Sequence, residues 1–190
     1  MMNIFVLLVM YQIKHFIADY PLQGKYMLGK FKPGWDFLGP LSAHCGVHAW
    51  MTGMISAWYL GWNPYYEYRH DAFYGPWLIL GLMVFDFVSH FCMDRIKAGP
   101  KWLGRFKPMS GPEYMSNHQK LESVEPLINA QQKLDAYDLS NGAALKMLLA
   151  EKEECEKKIR HNAFFWWSLG LDQMWHHLTH YAIIAVLLNQ

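Results

Sequence analysis

Four stretches of this 190-residue chain are apolar for long enough to cross a hydrocarbon layer as helices: 3–20, 37–61, 74–95 and 163–188. A helical span needs ~20 residues, so each run qualifies by length. Pro33-Gly34, Asn63-Pro64, Gly75-Pro76, Gly99-Pro100 and Gly111-Pro112 punctuate the remainder, where helices stop and turns begin. The expected fold is all-α: a membrane-embedded four-helix bundle forming a single membrane domain over 1–190.

Composition agrees with that reading. Hydrophobic residues make up 53% of the chain and charged residues only 17%, against about 25% charged in an ordinary soluble domain. Mean hydropathy is nevertheless −0.04, so polar segments share the chain with the apolar runs. The first run lacks a basic leader and a small-residue cleavage site, and is expected to be a retained helix rather than a signal peptide. Trp35, Trp58, Trp62, Trp77, Trp102, Trp166 and Trp167 cluster near the expected helix ends, where interfacial aromatics belong.

Charge supplies an orientation. Lys25, Lys30 and Lys32 follow the first run, and Arg95, Lys97, Lys101, Arg105 and Lys107 follow the third, whereas the segment 62–73 carries Arg69 offset by Glu67 and Asp71. By the positive-inside rule the two basic segments are cytoplasmic. Both termini are then expected outside a bacterial inner membrane.

Set into the apolar runs is a repeated device: His15 and Asp19, His44 and His48, His90 and Asp94, Asp172 and His176, each pair four residues apart. That spacing puts two side chains on one helix face, ~6 Å apart. Random placement of the chain's His and Asp predicts about 1.7 such pairs. Asp86 to His90 and His176 to His180 raise the observed number to six. Ionisable groups in membrane-length apolar segments are costly and persist when paired, metal-bound or functional. The topology places all four pairs in the cytoplasmic leaflet, although charge and His/Asp spacing are independent features of the chain.

Eight imidazole and carboxylate groups suffice for two divalent ions, with zinc, iron or manganese all compatible with the donors. The expected metal ligands are His15, Asp19, His44, His48, His90, Asp94, Asp172 and His176. Asp94, Lys97 and Asp172 are the expected catalytic groups, Lys97 by binding an anionic part of a substrate. The competing reading of Lys97 is an ordinary snorkelling lysine. Asp86 could orient His90, because metal-bound histidines commonly donate their second N–H to a carboxylate. Gln23 and Gln173 are expected hydrogen-bonding partners. His177 and His180 are expected to support the site or merely pack, and His70, His118 and His161 to be solvent-exposed.

Residues 108–161 are of another material, with Glu153 to Lys157 and Glu154 to Lys158 oriented for helix-stabilising pairs. Ser140-Asn141-Gly142 is a plausible turn and helix start. A cytoplasmic helical hairpin is expected, inserted between helices three and four, broken near Pro126 and lying over the mouth of the site. A solvated spacer is the alternative. Cys45, Cys92 and Cys155 imply no disulfide framework, and Cys45 and Cys92, beside ligand candidates, read first as small buried hydrophobes. A formal charge of +1 argues against a nucleic-acid binder; membrane lipid is the expected partner.

The string His15-Phe16-Ile17-Ala18-Asp19-Tyr20-Pro21-Leu22-Gln23, then His44 and His48, then His90-Phe91-Cys92-Met93-Asp94-Arg95-Ile96-Lys97, then Asp172-Gln173-Met174-Trp175-His176 resembles a family of small integral-membrane proteins of bacteria and phages whose title is only a domain of unknown function. The resemblance covers all four runs. It implies a multi-spanning helical protein with a buried polar site and brings no established reaction, while the 108–161 insert looks long for the family. More distantly the pattern is similar to membrane-associated metal-dependent hydrolases and to the ligand sets of zinc-dependent phospholipases C.

The expected function is hydrolysis by a dinuclear centre, zinc first, acting on a lipid phosphoester or another membrane-proximal ester or amide, because paired ions polarise a substrate oxygen and acidify a bound water. The alternatives are a di-iron membrane oxidase or hydroxylase, and a non-catalytic phage or bacterial membrane protein whose metal ties helices together and which acts through partners.

Overall fold

The computed structural model describes residues 2–62, 74–135 and 142–190, and among them the chain is all-helical. The helices are α1 (Met2–Asp19), α2 (Leu38–Trp62), α3 (Tyr74–Ala98), α4 (Gly111–Asp135) and α5 (Gly142–Leu188), with short 3₁₀ helices at Met27–Phe31 and Leu103–Arg105. The chain divides into two compact units: Met1–Arg105 with Leu169–Gln190, and Phe106–Ser168.

Local chemistry sets the helix ends. Pro40 and Pro76 sit in the first turns of α2 and α3, where the missing N–H would have no intrahelical partner anyway. Glycine follows α3 at Gly99, whose N–H is donated to the Arg95 carbonyl at 2.9 Å, and Pro100 prevents continuation. Gly104 folds back so closely that a Cβ there would lie 2.5 Å from the Ala98 carbonyl oxygen, which only glycine permits. Ser110 caps α4, its Oγ accepting the Glu113 N–H at 3.4 Å in a Ser-x-x-Glu arrangement.

In the first unit, Leu7, Tyr11, Ile55, Tyr59, Leu60, Leu82, Ile183, Ile184 and Leu187 form one buried apolar cluster. Along α1 and α3 the chain runs from this cluster towards His15 and His90; along α2 and α5 it runs from His44 and Asp172 back to it. Helices α1 and α3 thus run antiparallel to α2 and the end of α5, and each brings a polar segment to one level. Phe37, Leu41 and Cys45 make a second buried cluster at the start of α2.

The interior at that level is polar and the outside apolar. His15, His44, His48, Asp86, His90, Asp94, Asp172, His176 and His180 are buried, while Phe5, Phe16, Trp50, Met54, Trp77, Val84, Val88, Trp175 and Leu178 are exposed. Buried polar groups and exposed large apolar ones are the informative deviations from an ordinary globule. Among the described residues, one segment is long and apolar enough to cross a membrane, Tyr74–Arg105, with mean hydropathy 1.6.

The second unit is a helical hairpin of α4 and the first part of α5. Antiparallel register follows from Lys152 Nζ donating to Glu125 Oε1 at 2.9 Å and the Met109 N–H donating to Asn162 Oδ1 at 2.9 Å. Its buried residues are Phe106, Asn117, Val124, Ile128, Cys155 and Ser168, and those on α4 recur at spacings that keep one face inward. Lys158 and Glu154 pair at 2.7 Å, which raises the ammonium pKa and lowers that of the carboxyl. Helix α4 continues through Pro126, where the sequence suggests a break. Glu122, whose carbonyl the proline ring displaces from its bond, is exposed, so water can satisfy it. The expected turn at Ser140-Asn141 lies outside the described residues, as does His70. No helix break separates the insert from the fourth apolar run, both belonging to α5.

Candidate metal centre

The last turn of α1 brings Asp19 against the first half of α2. Asp19 Oδ1 lies 3.1 Å from His48 Nε2 and 3.4 Å from His44 Nε2, and Asp19 Oδ2 lies 3.2 Å from His15 Nε2. Ligand atoms on a tetrahedral zinc with bonds of ~2.0–2.1 Å stand about 3.3–3.4 Å apart. The observed spacings fit donors sharing a cation as well as imidazoles donating to a carboxylate.

Asp94, at the end of α3, continues the cluster. Its Oδ2 lies 3.1 Å from His44 Nε2, and its Oδ1 3.9 Å from His176 Nε2. Asp172, one turn before His176 on α5, holds Oδ1 3.6 Å from His176 Nδ1, while its Oδ2 accepts a hydrogen bond from Lys97. The rings of His48 and His90 are centred 4.1 Å apart, those of His90 and His176 4.3 Å, and those of His15 and His176 5.1 Å.

Three groups of three donors result, each with ligand atoms within 4.8 Å of one another: Asp19 with His44 and His48; Asp94 with Asp172 and His176; and His15 with His90 and His180. These buried His/Asp clusters could hold metal. The eight residues singled out by spacing therefore lie in one layer, grouped across helices: His44 with His48 and Asp172 with His176 stay together, whereas His15 and Asp19, and His90 and Asp94, fall into different groups. His180, to which sequence spacing gives a supporting or packing role, completes the third group.

His90 Nδ1 lies 2.9 Å from the Asp86 carbonyl oxygen and 3.3 Å from Asp86 Oδ1. Its Nε2 is buried without a hydrogen-bond partner. One nitrogen held by an acceptor and the other left bare is the arrangement that fixes a ligating tautomer. Asp172 Oδ1 is likewise buried without a hydrogen-bond partner. Such orphaned atoms are rare in native interiors, and an ion is one of the things that explains them.

Two lysines within the layer escape sequence reasoning. Lys14, fully buried, donates to Asp86 Oδ2 at 2.7 Å and lies 3.3 Å from His180 Nε2; Thr52 Oγ1 donates to the same Asp86 oxygen at 2.9 Å. Lys30, counted above in a cytoplasmic basic segment, is buried with Nζ 3.3 Å from Asp94 Oδ2. Their signals were a charge inside an apolar run for Lys14 and none for Lys30. Gln173 Oε1 lies 3.1 Å from His15 Nε2, and its Nε2 donates to Asp172 Oδ2 at 3.3 Å. With its amide oriented to satisfy both ends, Gln23 accepts from Lys30 at 3.0 Å and donates to the Asp19 carbonyl at 2.8 Å. His177 enters no donor group; its ring is centred 5.9 Å from that of His15 and its Nδ1 lies 3.2 Å from Gln12 Nε2. Cys45 is buried, Cys92 is exposed, and neither enters a ligand group.

A cavity of about 220 Å³ reaches the layer, touching Asp19, Lys30, Asp94, Lys97, Asp172 and Gln173. Structural metal sites are closed, whereas catalytic ones keep a position open to solvent or substrate. The chain matches no protein-family model, no curated protein and no solved structure.

Proposed function

We propose that this chain is an integral-membrane, metal-dependent hydrolase with a dinuclear centre, zinc first, acting on a lipid phosphoester or another membrane-proximal ester or amide. One observation carries the reading: His15, His44 and His48 surround the Asp19 carboxylate within 3.4 Å, in a layer that a cavity reaches. A pair of bound ions would polarise the scissile carbonyl or phosphoryl oxygen and supply hydroxide at neutral pH. The chain's own groups do the rest: Asp86 fixes the His90 tautomer, Gln173 steadies His15, Asp94 and Asp172 compensate positive charge, and Lys97 meets an anionic part of the substrate.

Four spans are part of the proposal. Their support is the inverted burial, apolar outside and polar inside, which suits a helix bundle whose solvent is lipid. The proposed orientation, both termini outside a bacterial inner membrane, now leans on Lys25, Lys32, Arg95, Lys101, Arg105 and Lys107, because Lys30 and Lys97 are paired with Asp94 and Asp172. A metal that merely tied helices together would require no cavity at the ligands.

The test is hydrolysis of bis-p-nitrophenyl phosphate and p-nitrophenyl acetate by detergent-purified protein, before and after chelation. Activity lost with the metal and restored by zinc is expected. Undiminished metal content without turnover of any ester would support the non-catalytic alternative, and visible iron absorption the oxidase.

A further inference from the structure

We infer that Lys30 and Lys97 form an anion clamp at the entrance of the candidate centre, and that the group it takes is a phosphate ester carried on an apolar body; this deepens the hydrolase reading and rests on it. Lysine is rarely buried unless paired, yet Lys30 is only 8% exposed. It reaches inward from the 3₁₀ helix Met27–Phe31, and Lys97 approaches from the end of α3. Both line the same cavity. An ammonium has three N–H donors. Asp94 and Gln23 use two of those on Lys30, and Asp172 is the partner of Lys97, so donors remain for a third party in the cavity.

Charge balance points the same way. Asp19, Asp94 and Asp172 are the carboxylates of the layer around the cavity, since Asp86 is matched by Lys14. Two divalent ions alone would more than neutralise those three, and the two lysines then stand as surplus positive charge in a site screened from water. Buried charge without compensation is costly. An anion bound between the ions and the lysines removes the cost. A phosphate ester supplies it, whereas a neutral ester or amide does not, and lysine serves phosphate well as a point charge.

The walls identify the rest of the ligand. Tyr20, Leu28, Phe31 and Leu169 line the cavity beside the lysines, and Leu28 and Phe31 are each half exposed. At about 220 Å³ the cavity is smaller than the ~300–1,000 Å³ pockets that enclose whole drug-sized ligands. A phosphate headgroup fits inside while its apolar body remains against the rim.

The experiment uses full-length, zinc-loaded protein in detergent, with inorganic phosphate, short-chain phosphatidic acid and the matching diacylglycerol as probes in calorimetric titrations, alongside zinc analysis. Phosphatidic acid and inorganic phosphate are expected to compete for one site, phosphatidic acid binding more tightly and diacylglycerol not at all. Lys30→Met and Lys97→Met should each weaken both anions by about tenfold or more, and Lys30→Arg should restore most of the loss. Leu28→Ser, on the exposed wall, removes apolar surface without adding charge and should weaken phosphatidic acid while leaving inorganic phosphate unchanged, which isolates the lipid body from the free anion even if a lysine variant fails to fold. Equal binding of diacylglycerol and phosphatidic acid, or phosphate affinity indifferent to both lysine substitutions with zinc retained, would overturn the clamp and leave the metal reading standing. Lysine-dependent phosphate binding by a protein that holds no zinc would uphold the clamp and remove the metal reading.

Discussion

His44 Nε2 stands 3.1 Å from Asp94 Oδ2 and 3.4 Å from Asp19 Oδ1, so one imidazole at the start of α2 joins carboxylates at the ends of α1 and α3. No spacing within a single helix produces that meeting. It requires the antiparallel alternation that brings each helix to the same level, and it makes the donor groups properties of the bundle. Loss of any one donor should therefore be felt in metal content and in folding together.

For His48→Ala, Asp94→Ala and His176→Ala, the expected outcome is reduced metal content and a lower thermal midpoint in detergent. For Asp94→Ala, which leaves the Lys30 ammonium without its carboxylate, the cost is about 3–5 kcal/mol. His118→Ala, in the hairpin unit and half-buried against Tyr114, should leave metal content unchanged. Elemental analysis and thermal melts with and without zinc check this, since an ion that binds only the folded state must raise the midpoint. Wild-type metal content and zinc response in all three variants would reduce the donors to packing groups.

Lys14 and Asp86 give a second test, independent of metal identity. Both side chains are fully buried, and their 2.7 Å contact is the closest Lys14 makes. Lys14→Met alone leaves a buried carboxylate and Asp86→Leu alone a buried ammonium, so each should destabilise by about 3–5 kcal/mol. The double substitution should cost much less than the sum. Additive losses across the cycle would show that the pair is not coupled.

What the sequence made legible was the period-four donor pattern, because it depends on helical geometry alone. Asp86 supporting His90 was legible for the same reason, as the two share a face of α3. What it hid were relations between helices. The contact of Lys14 with Asp86 spans 72 residues, and that of Lys30 with Asp94 spans 64. Lys30 looked like a loop cation because nothing local shows that a 3₁₀ turn carries it inward. His180 looked like packing because its partners, His15 and His90, lie on other helices. Pro126 suggested a break, but an exposed helix can hydrate the carbonyl that proline frees.

Topology can be read by labelling in a cysteine-free background, with Cys45, Cys92 and Cys155 replaced. Lys32→Cys should react only with reagent admitted to the cytoplasmic side, and Gln190→Cys only from outside. The reverse pattern would invert the orientation, and labelling of both from one side would remove the odd number of spans proposed between them.

Pro126→Ala should stabilise the hairpin unit by about 1–3 kcal/mol, because it restores a backbone N–H and relieves the ring clash in the interior of α4. Thermal unfolding followed by circular dichroism tests it. A lower midpoint would mean that the proline-induced bend is needed for packing.

The central claim is that the layer of histidines and aspartates holds metal, and elemental analysis of detergent-purified protein prepared without chelators tests it most directly. About two transition-metal ions per chain are expected, from mixed imidazole and carboxylate donors arranged in groups across four helices. Less than half an ion per chain, unchanged after incubation with zinc, would contradict the account and leave the layer as a buried network of ion pairs and hydrogen bonds.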